Sequence, residues 1–364
     1  MTANRSFVSP NTSVNSPEGP GRSFVPSIHG LRGLSALLVY FCHVWDISAK
    51  YGFLPVAIHW SLPLVLCGAH GVQLFFMISG FLITGSIINH ANAKRFLIDR
   101  CIRIYPVFLV IHLLSFSVGP FLGYKVFSGI TPYRWIVLFW QNLLFLPGIF
   151  AVPIVQPNAW SLSYEALFYL VAAFGYVLLK RTGRLYGLSS LCLISATILW
   201  FYPMFIFFLM GVCVFFFRNI RLPKVHRYIA PPALLLMFYF LAFADAHPLF
   251  IYAAAGPGLV AFWSIVSGSG LLARITTSRI LLYFGTISYS FYLWHQLVTF
   301  PLKFFFARVT VSWGDGLAMF CFGTLGLVGT VVVSHLSYKL LETRLARKLK
   351  NAQIGERHPQ QIGV

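Results

Sequence analysis

An arginine and a histidine lie eleven residues apart in the apolar run GLRGLSALLVYFCHV (residues 30–44), and they are the first pair able to do chemistry. Eleven steps of about 100° close roughly three turns, so on a helix Arg32 and His43 share a face and stand about 16 Å apart along the axis. In a membrane-spanning helix the arginine would sit at headgroup level and the histidine near mid-depth. Asp46, three residues further on, lies on a neighbouring part of that face and could hold the second ring nitrogen. A histidine so held can take a proton from a hydroxyl and deliver it to a leaving group. A hydrogen-bonded packing histidine would have the same address, and this segment alone does not decide between the two.

Other polar residues in apolar surroundings extend the set. In RCIRIYP (residues 100–106), Arg100 and Arg103 are at i and i+3. They form a guanidinium fork for phosphate or carboxylate, or else a snorkelling pair that fixes topology. Glu165, in NAWSLSYEALFYL, is the sole carboxylate between Asp99 and Asp245. Such a group is costly beside an apolar helix unless it is paired or faces water, which marks it as a site residue or a structural ion-pair partner. Gly80 in FFMISGFLITG, with Gly71 and Gly85 nearby, would allow close helix approach or expose backbone to a ligand. His295, in SYSFYLWHQ, reads as a packing or pore-lining residue. The chain has no GxSxG elbow, Gly-rich nucleotide loop or HExxH pattern, so the residues point to a membrane site for proton-coupled transfer or transport.

The scaffold that holds these groups can be read from composition. The chain is 58% hydrophobic and only 10% charged, against about 25% charged in a soluble domain. Apolar segments recur from residue 31 to residue 341, leaving no room for a separate soluble domain. The expected fold is therefore all-α: a polytopic integral membrane bundle of about ten transmembrane helices over residues 26–343. A disordered leader (1–25) would precede it and a basic tail (344–364) would follow. The formal charge of +19 gathers in short clusters between apolar segments (Lys94/Arg95, Lys180–Arg184, Arg218–Arg227, Arg274/Arg279, Arg344–Lys350). That is a topology signal, with membrane lipid rather than nucleic acid as the partner, and it places both termini in the cytoplasm. Counted from the two ends, however, the topology disagrees by one crossing between residues 104 and 160. One segment there must be partial, re-entrant or fused with its neighbour, and Pro203 makes the 186–217 stretch an equal suspect. The six cysteines lie mostly in apolar runs without a CxxC pair, which gives no metal site and no disulfide framework.

Five motifs in order, GLRGLSALLVYFCHV, GVQLFFMISGFLIT, RFLIDRCIRIYP, WSLSYEALFYL and ISYSFYLWHQ, closely resemble the acyltransferase-3 family of membrane acyltransferases. The resemblance implies transfer of an acyl group, usually acetyl, from cytoplasmic acyl-CoA to a sugar hydroxyl. The acceptor would be a surface or exported glycan or a lipid-linked sugar, and the setting a bacterial inner membrane. Arg32 and His43 match the family's R-x10-H helix, with His43 as the catalytic base. Arg100 and Arg103 match the RxxR motif that holds the donor. Trp160 and Glu165 match WSLxxE, Ser79 to Phe81 the SGF turn, and Tyr289 and His295 the SYSxYLxH segment. In that scheme Glu165 or Asp46 steadies the imidazolium.

Many members carry an acidic residue before GLRG where this chain has His29, so that carboxylate's role is absent or falls to Asp46. The short stretch after Leu341 suggests a stand-alone enzyme, with glycan-assembly proteins as conceivable partners. The rival readings are a proton-coupled transporter or flippase for a glycan or lipid-linked sugar, and a scaffold with a decayed site. The absence of convincing self-similarity between the halves counts against a transporter.

Overall fold

The computed structural model describes residues 25–355. Except for Val25, the expected leader lies outside the described residues, as does the end of the tail. The described chain is helical, with one isolated bridge between Pro147 and Phe150 and no strand. The first six helices are α1 (Pro26–Lys50), α2 (Leu62–Leu66), α3 (Gly71–His90), α4 (Ala93–Val118), α5 (Pro132–Leu143) and α6 (Ala159–Phe201). They are followed by α7 (Ile206–Phe217), α8 (His226–Ala242), α9 (Leu249–Val266) and α10 (Leu271–Thr276). The last three are α11 (Arg279–Trp313), α12 (Asp315–Ser337) and α13 (Ala346–Gly355). Five stretches are long and apolar enough to cross a membrane: Val56–His90, Ala93–Val118, Ala159–Phe201, Leu249–Val266 and Asp315–Ala352.

Local sequence sets the boundaries. Pro26 opens α1 with its φ already helical and no N–H to satisfy. Asn92 caps α4 by accepting from the Arg95 amide at 3.0 Å. Ala91, in the left-handed region at φ 51°, separates α3 from α4. Gly183, at φ 78°, folds α6 into two arms that run back along each other, so that Gly175 faces Leu191 and Gly187 faces Leu179.

Contacts fix the helix directions. α1 and α11 run the same way, since His29 meets Thr286, the Tyr40 ring meets Phe291 and His43 meets Gln296 in ascending order. Residues 61–71 run back along α1 from its Lys50 end: Ser61 bonds Trp45, Leu66 bonds Cys42, Gly68 touches Leu38 and Gly71 touches Ser35. The segment before α3 therefore leads straight into that helix in the same direction, and α3 starts beside the middle of α1.

The disputed stretch between residues 104 and 160 also resolves. α5 runs back along α4, with the Trp135 ring on Phe116, Phe139 on His112 and the Leu143 carbonyl accepting from Tyr105. It stops there, and irregular chain follows to Asn158, whose amide bonds the Tyr292 carbonyl at 2.6 Å in the middle of α11. Asn142 holds this loop by donating to the Leu138 and Pro153 carbonyls and accepting from the Val155 amide, which satisfies backbone groups that no helix serves. The partial segment is thus α5, continued by the first arm of α6. Pro203, the other suspect, opens a 3-10 turn between α6 and α7.

Gly80 serves close helix approach. A Cβ there would stand 2.1 Å from the Phe208 carbonyl of α7, and one at Gly211 would stand 2.0 Å from the Met77 carbonyl of α3. The SGF triplet is therefore mid-helix and not the turn expected from the motif. Beside this contact, Phe208 stacks on Phe76 at 4.4 Å and on Phe168 at 4.7 Å. Replacing Gly80 by Val should destabilise the purified protein by about 1–3 kcal/mol through overpacking. Gly256→Ala, where a Cβ meets nothing within 4 Å, should leave the detergent melting temperature unchanged or slightly raised. Equal melting of the two variants would refute the close contact.

Candidate active site

One face of α3 lines a narrow cavity. Val72, Phe75 and Phe76, Ser79, and Leu82 and Ile83 recur at helical spacing over eleven residues, a reach of about 16 Å. The other walls come from α1 (Arg32), α4 (Arg100, Arg103), α6 (Ser161, Glu165, Tyr169) and α11 (Ser288, Tyr289, Tyr292). The cavity volume is about 70 Å³.

Glu165 is hydrogen-bonded within this cavity. Its Oε1 accepts from the Ser79 hydroxyl at 2.9 Å and from the Tyr169 hydroxyl at 2.5 Å. Arg100 is only 6% exposed; its guanidinium donates to Ser86 Oγ at 3.3 Å and lies 5.7 Å from the centre of the Phe96 ring. Behind it, Asp99 binds His90 Nε2 at 2.5 Å and the His90 Nδ1 meets the Ser86 carbonyl at 2.7 Å, fastening the end of α3 to the start of α4. Tyr289 donates to the Ile104 carbonyl at 2.7 Å and so ties α11 to α4. Arg32, Arg100, Arg103, Ser79, Glu165 and Tyr289 thus line the same cavity, with Tyr169 and Tyr292 beside them.

His43 lies outside this set. Its Nε2 is 3.1 Å from the Gln296 amide, and its ring stacks on His295 with centroids 5.3 Å apart and planes 28° from parallel. His295 is fully buried, with its Nδ1 on the Phe291 carbonyl. Its Nε2 is buried without a hydrogen-bond partner among the described residues. Tyr292, one turn earlier on α11, lines the cavity and lies beside the histidine pair: its ring is 6.0 Å from that of His295 and its hydroxyl is 2.9 Å from Ser161 Oγ.

Two expected orienters are placed differently. Asp46 bonds Lys50 at 2.7 Å, because an ammonium at i+4 offers it a better partner than an imidazole at i−3. Glu165 bonds Ser79 and Tyr169, and the side chain holding His43 is Gln296. Trp160 packs beside Phe76 and Tyr164 and against Gly148 of the irregular loop, so it braces the cavity from behind.

Sequence reasoning missed Gln296, Tyr169, Tyr292, Asn158 and above all Glu342. After α12 the chain forms a π-helix over Tyr338–Leu345, a form often found at functional sites. It aims Glu342 at α11, where Ser290 donates to Oε1 at 2.6 Å and itself meets the Ser337 hydroxyl at 2.9 Å. Arg32 and Arg103 lie within electrostatic reach of this carboxylate. The available signal was rarity: Glu342 is one of only eight acidic residues in the chain, though its basic neighbours disguised it as part of the tail.

The fold and the site define a class, an integral membrane helical bundle built around buried cationic and titratable groups. A family model described as an acyltransferase domain matches residues 25–339, and the chain belongs to the acyltransferase-3 family. It is similar to the peptidoglycan O-acetyltransferase OatA of Listeria monocytogenes, at 25% identity over 90% of this chain and 56% of that protein. It also resembles acyltransferase MdmB of Streptomyces mycarofaciens, at 31% identity over 43% of this chain and 40% of the relative. Nodulation protein 10 of Rhizobium leguminosarum is 30% identical over 38% and 41%. The chain spans about half the length of these curated relatives. No solved structure matches.

The Ser290–Glu342 bond should be measurable as a coupling. In a double-mutant cycle of Ser290→Ala and Glu342→Ala, read by thermal unfolding in detergent, the two losses should overlap by about 1–2 kcal/mol. Strict additivity would remove Glu342 from the α11 contact.

Proposed function

We propose that the protein is a membrane O-acyltransferase that moves an acyl group, acetyl in the first instance, from acyl-CoA to a sugar hydroxyl. The acceptor would be a surface or exported glycan or a lipid-linked sugar. The observation that carries this reading is the cavity that joins Arg32, Arg100 and Arg103 to Glu165 and ends one helical turn from the His43–His295 pair. Guanidiniums suit the phosphates of coenzyme A. The cavity suits the thin acyl-bearing end of the donor, with the nucleotide beyond the arginines.

In this mechanism His43, held by Gln296 and stacked on His295, takes the proton of the acceptor hydroxyl. The hydroxyl oxygen attacks the thioester carbonyl carbon, the carbon–sulfur bond breaks, and the departing thiolate takes up a proton. Glu165 keeps Ser79 and Tyr169 in place beside the donor. The acetyltransferase names of relatives favour transfer over transport.

The helix directions support ten crossings: α1, α3, α4, α5 with the first arm of α6, the second arm of α6, α7, α8, α9, α11 and α12. Lys180 reaches the Ala91 carbonyl, Gly270 packs on Arg227, and Gly30 at the start of α1 packs on Thr276. These contacts gather the basic clusters at the end where α1 begins, which we assign to the cytoplasm of a bacterial inner membrane, with both termini on that side.

With labelled acetyl-CoA and lipid and glycan extract, His43→Ala should lose about 10²- to 10⁴-fold in transfer rate while remaining monodisperse in detergent. Wild-type rates in that variant would sink the base assignment. Arg100→Gln and Arg103→Gln should each weaken acyl-CoA binding by about tenfold or more, and unaltered affinity in a direct titration would remove them from the donor site.

A further inference from the structure

The cavity is chemically graded along its length. The guanidiniums and Glu165 flank one part, whereas Val72, Phe75, Phe76 and Leu162 gather at the other, together with the hydroxyl-bearing Ser161 and Tyr292. Val72, Phe76 and Leu162 are buried in the main hydrophobic core and are held by it on their far sides. Phe75 differs because it packs against two clusters, the main core and the second core around α1, α11 and α12. Its ring meets that of Tyr292 edge-on at 5.7 Å. Both rings line the end of the cavity nearest the histidines.

We infer that the Phe75–Tyr292 ring pair, with Phe75 as its replaceable half, sets the length of the acyl group. The inference rests on the acyl-CoA donor reading. With phosphates at the arginine end, the thioester reaches the level of Ser161 and Tyr292, whose hydroxyls bond each other at 2.9 Å. The acyl tail then points at Phe75. A two-carbon tail ends short of the Phe75 ring, which lines the cavity beside Tyr292. Each added methylene must displace an aromatic ring seated between two packed cores, and a close-packed interior resists that displacement. Burial of the neighbouring walls leaves Phe75 as the place where length can be gained.

The experiment compares acetyl-, butyryl- and hexanoyl-CoA as donors for wild type, Phe75→Leu and Phe75→Ala, following coenzyme A release in the presence of acceptor extract. Wild type should strongly prefer acetyl. Phe75→Ala should raise the butyryl-to-acetyl ratio of kcat/KM by about tenfold or more, the scale on which an apolar pocket separates ligands by a methylene or two. Phe75→Leu should fall between, and it covers the case in which the alanine variant does not fold. An unchanged ratio in a folded Phe75 variant, or a wild type indifferent to chain length, overturns the assignment and leaves the donor reading standing. If wild type and all variants turn over none of the thioesters, the donor reading fails and this assignment fails with it.

Discussion

The parallel contact between α1 and α11 governs the rest of the structure. It is made nearly backbone to backbone: a Cβ on Gly33 would stand 2.2 Å from the Leu281 carbonyl, and one on Gly285 would stand 2.1 Å from the His29 carbonyl. Only with the helices this close can one face of α1 bring Arg32 to the level of Ser288 and Tyr289 and His43 to the level of His295 and Gln296. The GLRG glycines therefore act at a distance, by setting the register of two rows of polar side chains.

The second constraint is charge. Arginines and carboxylates in an apolar bundle are tolerated only with mutual hydrogen bonding. The bundle meets this by drawing on five separate segments: α1, α4 and α6 for the groups facing the cavity, α11 for the serine and tyrosine hydroxyls, and the π-helix after α12 for Glu342. A π-helix shifts the angular phase of the residues within and beyond it. Glu342 can turn onto Ser290 because of that shift, while the basic residues further along continue into α13, which packs along α4.

Much of this was legible in the sequence, and the limits have physical causes. Arg100, Arg103, Arg32 and Glu165 could be picked out because polar residues in apolar segments are conspicuous, Ser79 and Tyr289 only through the motif resemblance, and all six line one cavity. The topological irregularity could be read as a parity conflict. Its location could not, because what ends α5 early is an Asn142 side chain satisfying a loop that is irregular in every other respect. Partner choice was illegible for a different reason: Asp46 had both His43 and Lys50 within helical reach, and spacing alone does not rank an imidazole against an ammonium. The Gln296–His43 bond spans 253 positions in sequence, and no periodicity carries information over that distance.

The partial helices explain why a cavity exists at all. Two full-length helices in place of the α2 segment and α5 would carry apolar side chains through the whole depth of the bundle and fill its middle. The short-helix stretch before α3 instead delivers that helix to the centre of α1, and the loop after α5 delivers α6 to the centre of α11. Both helices start at mid-depth, and their first turns supply Val72, Phe75, Ser161 and Leu162 to the apolar end of the cavity. The site therefore lies where two helices begin rather than where helices merely cross. That leaves the histidine pair on the side from which the chain enters and the arginines on the side toward which α3 and α6 descend, with Tyr292 between them. The cavity and the histidine pair therefore adjoin where the backbone, and not only the side chains, is interrupted.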